Sequence, residues 1–128
     1  MIVLDANLLI GYLDADDTHH DQALDLLQAS VGRSLSTSTL TLAEALVYPT
    51  RQGTEIASFE SIVRMGVELV PLEAPDALDI ARVRSASRLR MPDAVILNLA
   101  LSRSAALATF DASLASEART RGLEVIGA

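Results

Sequence analysis

Four of the 17 acids in this 128-residue chain sit where acids are out of place. Asp5 ends the apolar opening run Met1-Ile2-Val3-Leu4, and Glu44 lies within Leu40-Thr41-Leu42-Ala43-Glu44-Ala45-Leu46-Val47. Asp93 opens the most apolar stretch of the chain, Ala94 to Leu101, and Asp111 directly follows Leu107-Ala108-Thr109-Phe110. An unpaired charge is costly to bury, and few basic residues stand near these four. If the fold gathers them, each pair at about 5 Å repels by about 3 kcal/mol at an effective dielectric of about 20. Such a group either shares protons or holds divalent cations. With oxygen ligands only and no cysteine, the donor set favours Mg²⁺ or Mn²⁺ over zinc.

Each acid also has a local reading. Asp5 can cap the helix that follows it, and Asp111 can cap a helix after a strand. Glu44 completes the capping-box pattern Thr41-x-x-Glu44. Asp93, one residue past Pro92, suits the positive end of a helix dipole. Taken singly these readings suffice. They leave unexplained why Asp5, Asp93 and Asp111 all fall at strand ends or helix starts, where a parallel sheet collects its loops.

The elements that must position these acids alternate in type. Short β-branched or apolar runs are read as strands at Met1–Leu4, Ser34–Ser38, Val67–Pro71, Ala105–Phe110 and Leu123–Ile126. Between them, helical spacing predicts a short helix over Leu8–Leu13 and one opened by Thr18 and Asp21 that carries Ala23, Leu24, Leu27 and Val31 and ends at Gly32. A helix over Thr39–Tyr48 is expected to stop at Pro49. The next has Ile56, Phe59 and Val63 on one face and closes at Gly66. A thinly apolar helix runs from Pro75 to about Arg90. The segment from Pro92 is apolar nearly all round and reads as the central buried helix; Asp111–Arg121 is the last. This alternation implies an α/β fold: a parallel five-stranded sheet covered on both faces by helices, in three layers, as a single domain over 1–128.

Composition narrows the function classes. Half the residues are hydrophobic, which excludes disorder. The absence of cysteine excludes disulfides, a Cys-ligated metal and a thiol nucleophile. No apolar run has membrane-spanning length, and no basic segment precedes an apolar one at the N-terminus, so a cytoplasmic protein without membrane association is expected. The net charge of −7 opposes broad electrostatic binding of nucleic acid. Two divalent cations among the acids would cancel more than half of it. Arg82, Arg84, Arg88 and Arg90 form a local basic stretch that either contacts a nucleic-acid backbone or is a solvated helix face. His19 and His20, beside Asp16, Asp17 and Asp21, invite a second metal site. Adjacent histidines diverge on a helix, so packing or capping is the simpler role.

The order of motifs resembles the PIN domain family, and within it the VapC-type toxins of bacterial toxin–antitoxin pairs. The resemblance rests on Val3-Leu4-Asp5-Ala6-Asn7, Thr41-Leu42-Ala43-Glu44, Met91-Pro92-Asp93-Ala94 and Ala108-Thr109-Phe110-Asp111, and it spans nearly the whole chain. It implies a PIN-like fold and Mg²⁺- or Mn²⁺-dependent cleavage of RNA. It makes Asp5, Glu44, Asp93 and Asp111 the catalytic, metal-binding acids, with Asn7 and Thr109 as supporting polar groups; Asp111 corresponds to a position that varies among relatives. It implies a homodimer held inactive by a cognate antitoxin. The chemistry agrees: phosphodiester hydrolysis needs an activated water and neutralised phosphate charge, and metal ions supply both.

Other classes compete. A haloacid-dehalogenase-like phosphatase also starts from a strand ending in Asp, but it wants a second acid where this chain has Asn7, and a lysine, which this chain lacks. A receiver-like regulatory module fails on the same lysine and on a missing acidic pair. A PIN-fold RNA-processing nuclease outside a toxin–antitoxin pair, and a PIN-like scaffold without catalysis, remain as alternatives.

Overall fold

The computed structural model describes residues 1–128. Five strands, β1 (Ile2–Leu4), β2 (Leu35–Ser38), β3 (Glu68–Val70), β4 (Ala106–Ala108) and β5 (Val125–Ile126), form one parallel sheet in the order β3-β2-β1-β4-β5. The chain builds outward from β1 to β3 on one side, then returns to place β4 and β5 on the other. The order therefore reverses between β1 and β4. In an open α/β sheet that switch point opens a crevice beyond the carboxyl ends of the strands. Asp5 leaves β1 and Thr109 to Asp111 leave β4 at that crevice.

Seven helices cover the two faces: α1 (Ala6–Leu13), α2 (His20–Ala29), α3 (Thr39–Gln52), α4 (Glu55–Arg64), α5 (Asp76–Ser85), α6 (Met91–Arg103) and α7 (Ala112–Thr120). Strand alternation divides the core. Ile2, Leu4, Ala106 and Ala108 face one layer with Leu8, Leu9, Ala23, Leu42, Ala45 and Ile62 from α1 to α4. Val3 and Leu107 face the other, against Ile96, Leu97, Ala100, Leu114 and Ala118 from α6 and α7. As its all-round apolarity predicts, α6 is the central helix, with six residues from Ala94 to Ala100 buried. No helix is long and apolar enough to cross a membrane.

Five local expectations are corrected. α3 runs through Pro49 to Gln52 and ends at Gly53 in the left-handed region at φ 74°. Proline removes its own N–H and crowds the carbonyl four residues back, but residues after it keep their donors; Thr50 Oγ1 also caps the Leu46 carbonyl at 2.7 Å. On α4 the apolar face of Ile56, Phe59 and Val63 points to solvent, while Ile62 is fully buried. Helical spacing reports that a face is apolar, not what covers it. α2 is turned similarly: it buries Ala23 and Leu26, leaves Leu24 and Val31 outside, and ends before Val31. Its Thr18–Asp21 capping box does not form, since the first residue before the helix is His19, without a side-chain cap. The arginine-bearing helix is shorter than expected, because α5 stops at Ser85.

Candidate active site

Asp5 is the best-buried acid of the chain, at 6% exposure. Its backbone N–H bonds the Ala108 carbonyl at 3.0 Å, which fixes it across the β1–β4 switch point. Oδ1 accepts from the Ala6 N–H at 2.8 Å and so caps α1. Oδ2 accepts from the Thr109 hydroxyl at 2.7 Å. Capping and clustering are thus both true of one side chain. Burial pushes its pKa up to about 6 against the pull of these two hydrogen bonds, and the charges of Asp93 and Asp111 push in the same direction.

Thr109, fully buried, is the hub that ties the β4 end to the β1 end. Its Oγ1 accepts from the Asp111 N–H at 3.0 Å and from Asn7 Nδ2 at 3.4 Å while donating to Asp5. Asn7 Oδ1 in turn accepts from the Phe110 N–H at 3.2 Å. Asn7 therefore serves as an interstrand brace from the first turn of α1. Asp111 caps α7, its Oδ1 accepting from Ser113 and Leu114 N–H at 2.8 and 3.1 Å, which leaves Oδ2 open.

Glu44 and Asp93 arrive from the two helices that flank this edge. The side chain that caps α3 is Ser38, whose Oγ accepts from the Thr41 N–H at 2.9 Å. Glu44 is thereby in the second turn, and the Thr41–Glu44 capping box is not the reason for its presence. Asp93 stands in the first turn of α6, 3.8 Å from Arg90 Nε, without a capping bond. Burial raises both above the usual carboxylate range, with Arg90 opposing. Asp93 adds to the rise at Glu44, and Asp111 to the rise at Asp93. Mutual repulsion links all four acids, with Asp93 in the middle, although no three of them stand at the spacing of a closed metal cage. The arrangement is an open set of hard oxygen donors with an unneutralised charge, and that chemistry fits Mg²⁺ or Mn²⁺.

The two histidines take the packing role expected of them and not that of a second metal site. His20 Nδ1 bonds the Gly11 carbonyl at 2.7 Å, and His19 stacks on Phe110 with centroids 4.6 Å apart and planes 8° from parallel. The sequence did not single out that stack or Gly127. Gly127 has φ 101°, and a Cβ there would stand 2.8 Å from the Thr109 carbonyl oxygen. Both press on the segment from Thr109 to Asp111, which positions two of the acids. Of the arginines, Arg82 pairs with Asp79 and Arg90 with Asp93. Arg88 lines an open cleft of about 790 Å³ with Ser85, Ser113 and Glu117, beside the start of α7.

A parallel sheet of this order, with acids gathered at its switch point, defines an α/β protein whose candidate site lies in the crevice beyond the strand ends. The PIN domain model matches residues 2–119. Ribonuclease VapC29 of Mycobacterium tuberculosis is 34% identical over 119 residues, covering 89% of this chain and 88% of the relative. The chain belongs to the PIN domain family. The crystal structure of Mycobacterium tuberculosis VapC20, a sarcin–ricin loop cleaving toxin, superimposes with a TM-score of 0.74 at 17% identity, covering 100% of this chain and 98% of the other. A toxin–antitoxin complex from Klebsiella pneumoniae contains a chain with a TM-score of 0.71 and 22% identity, with 87% of each chain covered.

Proposed function

We propose that this protein is a Mg²⁺- or Mn²⁺-dependent endoribonuclease, the toxin of a type II toxin–antitoxin pair. The observation that carries the reading is the Asp5 carboxylate, fixed by Thr109 and raised to about 6 by its burial, with the charges of Asp93 and Asp111 adding to the rise. An acid held that way is prepared for a cation. Asp5 and Asp93 would be the principal ligands, with Glu44 and Asp111 completing the set directly or through water. The ion, when bound, supplies an activated water and neutralises charge on the phosphate. The chain's own part is orientation. Thr109 holds one Asp5 oxygen, Asn7 braces the strand ends, and Arg90 steadies Asp93. Arg88 and its cleft lie where an RNA backbone can leave the acids, and products are expected to carry 5′-phosphate and 3′-hydroxyl ends.

The partner assignment follows the likeness in fold to a chain of the Klebsiella pneumoniae toxin–antitoxin complex and the exposed apolar side chains Val47, Ile56, Phe59 and Val63 on α3 and α4. A cognate antitoxin and a second copy of this chain are the proposed occupants of such surfaces. A cytoplasmic location goes with the proposed RNA substrate and antitoxin partner. The test is cleavage of RNA with Mg²⁺ or Mn²⁺, with chelator and Asp93→Asn controls. Undiminished cleavage by a folded Asp93→Asn protein would defeat the metal-site reading, and metal binding without turnover would leave a PIN-fold binding module.

A further inference from the structure

A second cleft opens beside Glu44, between α1, α3 and α4. It measures about 210 Å³ and is lined by Ile10, Leu13, Asp14, Glu44, Tyr48 and Ser58, among others. That volume lies below the roughly 300–1,000 Å³ of pockets that enclose drug-sized ligands, so it suits one flat ring system and not a whole nucleotide. Its walls are apolar and aromatic, while its polar groups are carboxylates and hydroxyls with no basic residue among them. A phosphate is therefore the wrong occupant. Glu44 and Tyr48 are four residues apart on α3 and so lie on one face, about 6 Å apart along the axis. A ring seated on Tyr48 is one residue's reach from the acid cluster.

We infer that this cleft is a base-recognition pocket that receives one nucleobase next to the scissile phosphate, with guanine preferred. This rests on the ribonuclease reading and adds its substrate preference. Tyr48, 57% exposed, offers a ring face for stacking. Asp14 supplies the discrimination. Its Oδ1 accepts from the Asp16 N–H at 2.9 Å, which leaves Oδ2 as an acceptor for N–H donors. Guanine presents two adjacent N–H donors on its Watson–Crick edge, whereas uracil presents one donor between two acceptors.

The test has two arms. A degenerate RNA pool is cleaved by the full-length protein in Mn²⁺, and the product ends are sequenced. The expected result is guanine enriched at one fixed position beside the cut. Tyr48→Ala should reduce cleavage of the whole pool about 5- to 150-fold, the range that sequence-tolerant base–aromatic stacking supplies. Asp14→Asn keeps the acceptor for Asp16 and turns the other position into a donor, so guanine should be lost and uracil gained. Cleavage with no preference beside the cut, or with one that Asp14→Asn leaves unchanged, overturns the pocket and spares the nuclease reading. In the second arm the ¹⁵N-labelled protein is titrated with guanosine and uridine 5′-monophosphates without metal. Amide shifts centred on Ile10, Tyr48 and Ser58, larger for guanosine, are expected. If RNA is not cleaved at all, the nuclease reading fails and this arm still decides the pocket. Shifts from indole or phenol but not from guanosine monophosphate would make the cleft a socket for a protein side chain, and the inference would fail.

Discussion

The Thr109 hydroxyl donates to Asp5 Oδ2 at 2.7 Å across 104 positions of sequence. It joins the ends of two neighbouring parallel strands and sets the orientation of the most buried acid. Thr109 also accepts from the Asp111 backbone N–H and from Asn7 Nδ2, so one side chain holds two others and the backbone at Asp111.

Thr109→Val keeps the shape and removes that hub. The buried partners lose hydrogen bonds worth about 1–3 kcal/mol each when left unsatisfied. A loss of about 3 kcal/mol in urea unfolding is expected. RNA cleavage should fall at least about tenfold, because Asp5 is freed to rotate. Thr109→Ser should recover most of both. A Thr109→Val protein with wild-type stability would refute the hub.

Asp5 makes the metal-free protein less stable as pH rises. Its folded pKa of about 6 exceeds its ordinary 3.8, so the folded state binds the proton more tightly than the unfolded chain. The stability from this group is fully present below pH 3.8 and is lost as pH rises to about 6. At about 1.4 kcal/mol per unit, the loss approaches about 3 kcal/mol. Metal-free Asp5→Asn should therefore be more stable than wild type at pH 7, with the difference shrinking towards pH 4. Denaturant unfolding across that range measures it.

Divalent cations should reverse this penalty. Bound to the folded state alone, an ion at 100 times its Kd stabilises by about 2.7 kcal/mol. Mn²⁺ should raise the Tm of wild type at pH 7 and leave Asp5→Asn/Asp93→Asn unmoved, and chelator should cancel the rise. An equal rise in the double variant would place the ion elsewhere.

Gly127→Ala tests the support behind Thr109. At φ 101° a side chain is strained, and the added Cβ meets a backbone oxygen at 2.8 Å, which has no flexible end to swing aside. A loss of about 1–3 kcal/mol is expected from the backbone conformation alone. Cleavage should fall with it, because the segment from Thr109 to Asp111 shifts. Calorimetry and an RNA cleavage assay on the same sample check both.

Much of this was legible in the chain itself. Strand–helix alternation determined a parallel α/β sheet, because parallel strands need crossover helices. The all-round apolarity of Ala94–Leu101 determined a central helix, and the four acids on apolar elements marked the candidate site. What only the tertiary structure decided is adjacency. The sheet order β3-β2-β1-β4-β5 places the ends of β1 and β4 side by side, and local spacing carries no information about which strands pair. The same holds for faces. Ile56, Phe59 and Val63 look like core and are exposed, because what covers an apolar face depends on the whole packing. Asp5 and Asp111 look like helix caps and are caps. Their proximity to Asp93 and Glu44, which turns four local features into one charged site, comes from long-range folding alone.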